Sequence, residues 1–224
     1  MKNILVVLTS CGVKGETGIP TGYFMSEVTH PWKVFMNAGY NVDFVSPKGG
    51  ESPIDTFDLA DPINYEFWEK EEWRVKIQHS MSPQMVDSAN YCGIFFAGGH
   101  GAMWDLAKDK DIAHIAVSIY ECGGVVGGVC HGPAGIVNLR LSTGRYLVDG
   151  LRVNSFTNEE ENIEGTDKVV PFLLESLLRQ HGGIFEKSEP WQIHCTSDSR
   201  LVTGQNPQSA TAVAEAFVCE LAKL

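Results

Sequence analysis

The 224-residue sequence has no basic run: 17 Lys and Arg stand against 28 Asp and Glu, a formal net charge of −11. Such a surface cannot neutralise a row of phosphates, which excludes nucleic-acid and anionic-membrane partners. It also has no long apolar run near its start. Met1-Lys2-Asn3 passes directly into Ile4-Leu5-Val6-Val7-Leu8, too short for a signal h-region or a bilayer span, so a cytosolic protein without a membrane partner is expected. The six cysteines (Cys11, Cys92, Cys122, Cys130, Cys195, Cys219) form no C-x-x-C pair and no cluster, which excludes a zinc ribbon, a dithiol redox motif and a disulfide framework. There is no H-E-x-x-H, no Walker A sequence and no G-x-G-x-x-G after a strand, so no metal and no nicotinamide cofactor is expected. Internal repeats and low-complexity segments are absent.

What is present is a β-type run that meets a thiol and an imidazole. Gly128-Val129-Cys130-His131-Gly132 has the G-x-nucleophile-x-G form of a nucleophile elbow, in which flanking glycines let the backbone turn sharply and expose the central side chain. Pro133 suits the first turn of a following helix, where its missing N–H is no loss. A thiol at a helix N-terminus has its thiolate stabilised by the dipole, so Cys130 is expected to be the most oxidisable of the six cysteines. A buried core cysteine is the commoner fate of a lone thiol; the paired glycines and His131 favour a reactive one.

The rest of the pattern is strands alternating with helices. Asn3–Leu8, Val42–Ser46, Gly93–Ala97 and Val125–Val129 read as buried strands. Helical segments fall at Tyr23–Ala38, interrupted at Pro31, at Ile112–Cys122 and at Ser209–Leu224. This predicts an α/β fold: one domain over residues 1–224, with a doubly wound, mostly parallel sheet and helices on both faces. Glu51–Asn90 reads as an insertion at the sheet edge whose charges lie on a solvated helix face. Ligands of such sheets bind beyond the strand carboxyl ends, so Thr9-Ser10, Gly98-Gly99-His100 and Cys130-His131 should converge on one pocket. The amides of Gly99 and His131 could form an oxyanion hole there, a simple tight turn at Gly98-Gly99 being the plainer alternative. His100 either lines the pocket or bonds a loop.

Four stretches carry a family resemblance: T-G-Y-F-M-S-E-V-T-H-P at 21–31, F-F-A-G-G-H-G at 95–101, V-C-H-G-P-A at 129–134 and S-F-T-N-E-E-E at 155–161. With them the chain resembles the glutathione-independent glyoxalase III (D-lactate dehydratase) branch of the PfpI-type superfamily, from Met1 nearly to Leu224. That superfamily has the flavodoxin-like fold of the class I glutamine amidotransferases. The resemblance implies that Glu27, which on sequence alone would be a surface residue, reaches the pocket beside Cys130. A carboxyl held there away from water would have a raised pKa and could move protons near neutral pH.

The resemblance further implies that one of Glu159, Glu160 and Glu161 orients His131 as the acid of a Cys-His-Glu triad. The register favours Glu161 and leaves Glu159 and Glu160 as an exposed helix start. The implied substrate is a small 2-oxoaldehyde: methylglyoxal or glyoxal adds to Cys130 as a hemithioacetal, Glu27 and His131 move protons, and D-lactate or glycolate leaves without metal, nicotinamide or glutathione. A homodimer is left open. The competing readings are a stress holdase using the Trp68/Trp73 stretch, a sensor in which Cys130 is oxidised, a glutamine amidotransferase and a cysteine protease. The amidotransferase would need an H-x-E pair that neither His181-Gly182-Gly183 nor His194-Cys195-Thr196 supplies, and no protease groove is legible.

Overall fold

Runs such as Ile4-Leu5-Val6-Val7-Leu8 and Ile94-Phe95-Phe96 have no polar break, the pattern of strands buried on both faces. The computed structural model, which describes residues 3–224, places all of these residues out of contact with water. In chain order the described strands are β1 (Asn3–Val7), β2 (Tyr23–Phe24), β3 (Asn41–Val45), β4 (Ile54–Thr56), β5 (Gly93–Phe96) and β6 (Val125–Val129). Then follow β7 (Arg152–Val153), β8 (Ile184–Phe185), β9 (Cys195–Asp198) and β10 (Leu201–Gly204). The α-helices are α1 (Ser26–Asn37), α2 (Pro62–Glu69), α3 (Glu71–Gln78), α4 (Ala102–Asp105), α5 (Lys110–Glu121), α6 (Asn158–Ile163), α7 (Leu174–Gln180) and α8 (Ala210–Leu221).

The central sheet runs β3-β1-β5-β6-β10-β9, parallel throughout except for the β9–β10 pair. Alternation along each strand feeds two cores. Leu5, Val7, Ile94, Phe96 and Val126 face a layer with Ile112, Ala116 and Ile119 of α5 and Leu174 and Leu178 of α7. Ile4, Val6, Phe95, Val125 and Val129 face α1 and α8 through Val28, Trp32, Phe35, Val213 and Phe217. Phe35 meets Phe95 at 5.6 Å and Phe217 at 5.5 Å between ring centroids, contacts that add about 0.5–1.5 kcal/mol each beyond area burial. The predicted doubly wound α/β architecture is the one observed.

Four details differ from the sequence expectation. Helix α1 is not broken at Pro31 but runs through it, because packing of Trp32 and Phe35 outweighs one missing N–H. No α-helix follows the elbow: Gly132–Gly135 is a single 3₁₀ turn. The β9–β10 hairpin escaped the pattern because its turn residues, Ser199 and Arg200, take positive φ of 50° and 66° without the usual Asn or Gly. Trp73, offered above as part of a holdase surface, is 6% exposed and packs edge-on against Trp32, while Trp68 lies against Phe57. Of residues 51–90, Met81 bridges Val45 on the edge strand β3, and β4 pairs with β2 outside the central sheet.

Candidate active site

The site lies beyond the carboxyl ends of β1, β5 and β6, as the topology requires. Cys130 follows β6 directly and takes φ 59°, a left-handed conformation rare for a residue with a side chain. Two backbone bonds pin it there: its N–H donates to Gly204 O (2.9 Å), and its carbonyl accepts from Phe156 N–H (2.9 Å). Gly132 completes the turn, since a Cβ on it would lie 2.1 Å from Phe96 O. Cys130 is 3% exposed and lines a cavity of about 170 Å³ with Phe24, Gly99, His100, His131, Phe156 and Trp191. That is below the roughly 300–1,000 Å³ of drug-sized pockets, a scale that suits a small substrate.

On one side of the sulfur stands His131, 1% exposed, with Nδ1 3.4 Å from Sγ and Nε2 2.9 Å from Glu161 Oε2. The carboxylate fixes the tautomer: Nε2–H donates to Glu161, so the Nδ1 lone pair faces the thiol and can take its proton. Burial, with His100 nearby, holds His131 down to about 4, against the opposing pull of Glu161, so the ring is neutral at pH 7. Burial pushes the Glu161 carboxyl up, but His131, His100 and Thr166 outweigh it and keep it below the usual range. Glu161 receives two further donors. His100 Nε2 lies 3.0 Å from Oε1, and the Thr166 hydroxyl donates to the same oxygen. His100 Nδ1 in turn lies 3.4 Å from Lys14 Nζ.

On the other side stands Glu27, in the first turn of α1 and fully buried. Neither oxygen has a hydrogen-bond partner of ordinary geometry among the described residues. Burial raises its pKa to about 8, against weaker opposing pulls from the Cys130 thiol and the Gly98 amide, so the carboxyl carries a proton at neutral pH. Gly98 makes the approach possible, because a Cβ there would sit 2.3 Å from Glu27 Oε2. The amides of Gly99 and His131 are close enough to the Cys130 thiol to favour its ionised form, and among the described residues neither donates to another backbone carbonyl.

Cys130, His131, Glu27, Glu161, Gly99 and His100 stand together as expected, whereas Thr9-Ser10, expected at the same pocket, do not line the cavity and bond Asp105 instead. Two further expectations are corrected. Cys130 is not a helix-stabilised thiolate, because burial and the nearby Glu27 push its thiol well up and only a short 3₁₀ turn follows it. Glu160, expected on an exposed helix start, is fully buried; Glu159 is the exposed one, paired with Lys187 at 3.1 Å. The sequence reading missed Lys14, Thr166 and Trp191, which lie in loops with no periodicity to mark them. Among the described residues, His100, His131 and Glu161 have ligand atoms within 4.8 Å of one another, the spacing of a metal site. Here those atoms already pair with each other as donors and acceptor.

The chain is similar to known proteins over nearly its whole length. The glutathione-independent glyoxalase HSP31 of Saccharomyces cerevisiae is 35% identical over 95% of each chain. Glyoxalase 3 of Candida albicans is 33% identical over 98% of this chain and 100% of its own length. Among solved structures, the 24 kDa Rapid Encystment Protein of Francisella tularensis matches with a TM-score of 0.94 and 39% identity, covering 99% of both chains. The crystal structure of glyoxalase III from Candida albicans matches with a TM-score of 0.89 and 30% identity, covering 97% of this chain and 96% of that one. The DJ-1/PfpI family itself matches over residues 19–220, and with that span, this fold and these full-length relatives, the chain belongs to the DJ-1/PfpI family.

Proposed function

We propose that this protein is a glutathione-independent glyoxalase that converts methylglyoxal to D-lactate and glyoxal to glycolate, acting in the cytosol. The observation that carries the proposal is the placement of one thiol between two oppositely tuned acid–base groups: neutral His131, oriented by Glu161, and protonated Glu27. The full-length similarity to glutathione-independent glyoxalases supports it.

As the Cys130 sulfur adds to the aldehyde carbon, His131 Nδ1 takes the thiol proton, and Glu161 stabilises the imidazolium. The amides of Gly99 and His131 receive the developing oxyanion, which Glu27 protonates to give the hemithioacetal. Glu27, now a carboxylate, removes the proton from the former aldehyde carbon, the electrons move to the neighbouring carbonyl, and that oxygen takes the hydroxyl proton of the first carbon, giving an enediolate. Return of a proton to the second carbon leaves a 2-hydroxy thioester. Water then attacks the thioester as the Glu27 carboxylate takes one of its protons, the C–S bond breaks to release the hydroxy acid, and sulfur regains its proton from His131. The overall change adds one water to the 2-oxoaldehyde and needs no redox partner. One group must both give and take protons near pH 7, which suits a carboxyl whose pKa lies near 8 and not near 4.

The test is incubation with methylglyoxal in the absence of glutathione, with enantiomer-resolved assay of lactate, for wild type and Cys130→Ala. D-lactate from wild type alone is the expected result. Failure of wild type to produce lactate, or equal production by both, would reject the proposal.

A further inference from the structure

Glu160 takes no part in the chemistry above, yet it is the most heavily coordinated carboxylate near the site. It is fully buried with no Lys or Arg partner among the described residues. Oε2 accepts from the Thr157 N–H (3.0 Å) and hydroxyl (2.9 Å). Oε1 accepts from Trp191 N–H (2.9 Å), Gln205 Nε2 (3.0 Å) and Asn206 Nδ2 (2.9 Å). Only an acceptor-only group with two oxygens can receive all of these donors; an amide would turn its own N–H₂ against some of them. One of these donors, Trp191, lies on the loop after β8, and two others, Gln205 and Asn206, bond that loop at Ser188 O, Glu189 O and Gln192 O. Trp191 takes φ 64°, a conformation that persists in an aromatic residue only where its surroundings over-determine it. Glu160 supplies that constraint at its N–H, and Asn206 Nδ2 holds the next carbonyl, Gln192 O, at 2.9 Å.

What the loop carries is the wall of the pocket. The Trp191 indole packs edge-on against Phe156 at 5.6 Å, and Phe156 lies 4.4 Å from the His131 ring. Trp191 and Phe156 both line the cavity that holds Cys130. From this we propose that Trp191 selects substrates by size and that Glu160 is the positioning residue that holds it there, a reading of specificity that rests on the glyoxalase function above. The wall admits short 2-oxoaldehydes and turns away those with an aryl group on the ketone carbon.

The experiment compares wild type, Trp191→Ala and Glu160→Gln in two ways. The first is kcat and KM for methylglyoxal and phenylglyoxal. The second is the rate at which Cys130, followed by peptide mapping, is alkylated by iodoacetamide and by a bulky N-aryl maleimide. In both variants the phenylglyoxal-to-methylglyoxal ratio of kcat/KM should rise about tenfold, carried by KM, as expected when a steric wall is removed. The maleimide-to-iodoacetamide ratio should rise alongside it. Unchanged ratios in Trp191→Ala would overturn the size selector. A Glu160→Gln protein that loses thermal stability but keeps both wild-type ratios would reduce Glu160 to a structural residue. If Glu160→Gln cannot be purified, Asn206→Ala removes one of its donors and the hold on Gln192, and should move both ratios in the same direction; unchanged ratios there would equally overturn the positioning role. Because alkylation needs no aldehyde turnover, it decides the wall even if wild type proves inactive on both aldehydes, an outcome that would instead reject the glyoxalase reading.

Discussion

Glu27 and Glu161 are both buried carboxyls close to the same thiol, and the structure drives them to opposite states. Glu161 accepts from two imidazoles and a hydroxyl, which more than offset its burial and keep it ionised. Glu27 meets only the weaker pulls of the Cys130 thiol and the Gly98 amide, so burial prevails and its proton is held to about pH 8. Burial acts on both carboxyls alike; the donors set against it decide which one stays ionised. One site thereby holds a fixed anion that orients a base and a neutral acid that can donate.

The largest effect should come from removing what the two carboxyls share. Cys130→Ser keeps the shape but ionises far less readily, so turnover of methylglyoxal should fall by about 10⁴-fold, mainly in kcat. Substantial turnover by the variant would break the comparison at its centre. Glu27→Gln should cost on the order of 10²-fold or more in kcat while leaving KM little changed, because it removes the proton carrier and leaves the pocket intact. Wild-type kcat would show that Glu27 carries no proton. Glu161→Gln should cost about 10²-fold and shift the acid limb of the kcat/KM profile, since an amide cannot hold His131 in the same tautomer or stabilise its imidazolium. An unchanged profile would remove Glu161 from the triad.

Stability sharpens the contrast further. Between about pH 4.5 and 8 the unfolded chain has lost the Glu27 proton while the folded chain keeps it, so this group makes wild type less stable as pH rises through that window. The whole gap is worth roughly 5 kcal/mol at about 1.36 kcal/mol per pH unit. The Tm of Glu27→Gln relative to wild type should accordingly climb from pH 4.5 to pH 8, and a flat difference would contradict a buried neutral carboxyl. The smallest effect belongs to Glu159→Gln: on an exposed first turn, it should alter stability by no more than about 0.5 kcal/mol and leave activity unchanged.

How much of this the sequence showed follows from the range of the interactions. Strands with unbroken apolar runs, such as β5 and β6, mark themselves, and Gly132 after Cys130 marks a turn where a Cβ would strike Phe96 O. Glu161 and Glu27 were placed by resemblance, because a single acid on a helix gives no local sign of what lies across the pocket. Glu160 shows why periodicity could not rescue the point: one residue before Glu161 on α6, it is equally buried, and its donors come from 31 to 46 positions away as well as from Thr157. The thiolate expectation failed for a related reason. It took the helix after Cys130 for granted, whereas the chain makes one 3₁₀ turn and buries the sulfur beside an acid.

The most direct measurement of the central claim is the protonation state of Glu27 itself. Difference infrared spectra of wild type minus Glu27→Gln, recorded across pH 5 to 10, should show the carbonyl stretch of a protonated carboxylic acid at pH 7, replaced by carboxylate bands with a midpoint near pH 8. A spectrum showing Glu27 already ionised at pH 6 would contradict the account, because the site would then have no neutral acid to protonate the hemithioacetal oxygen.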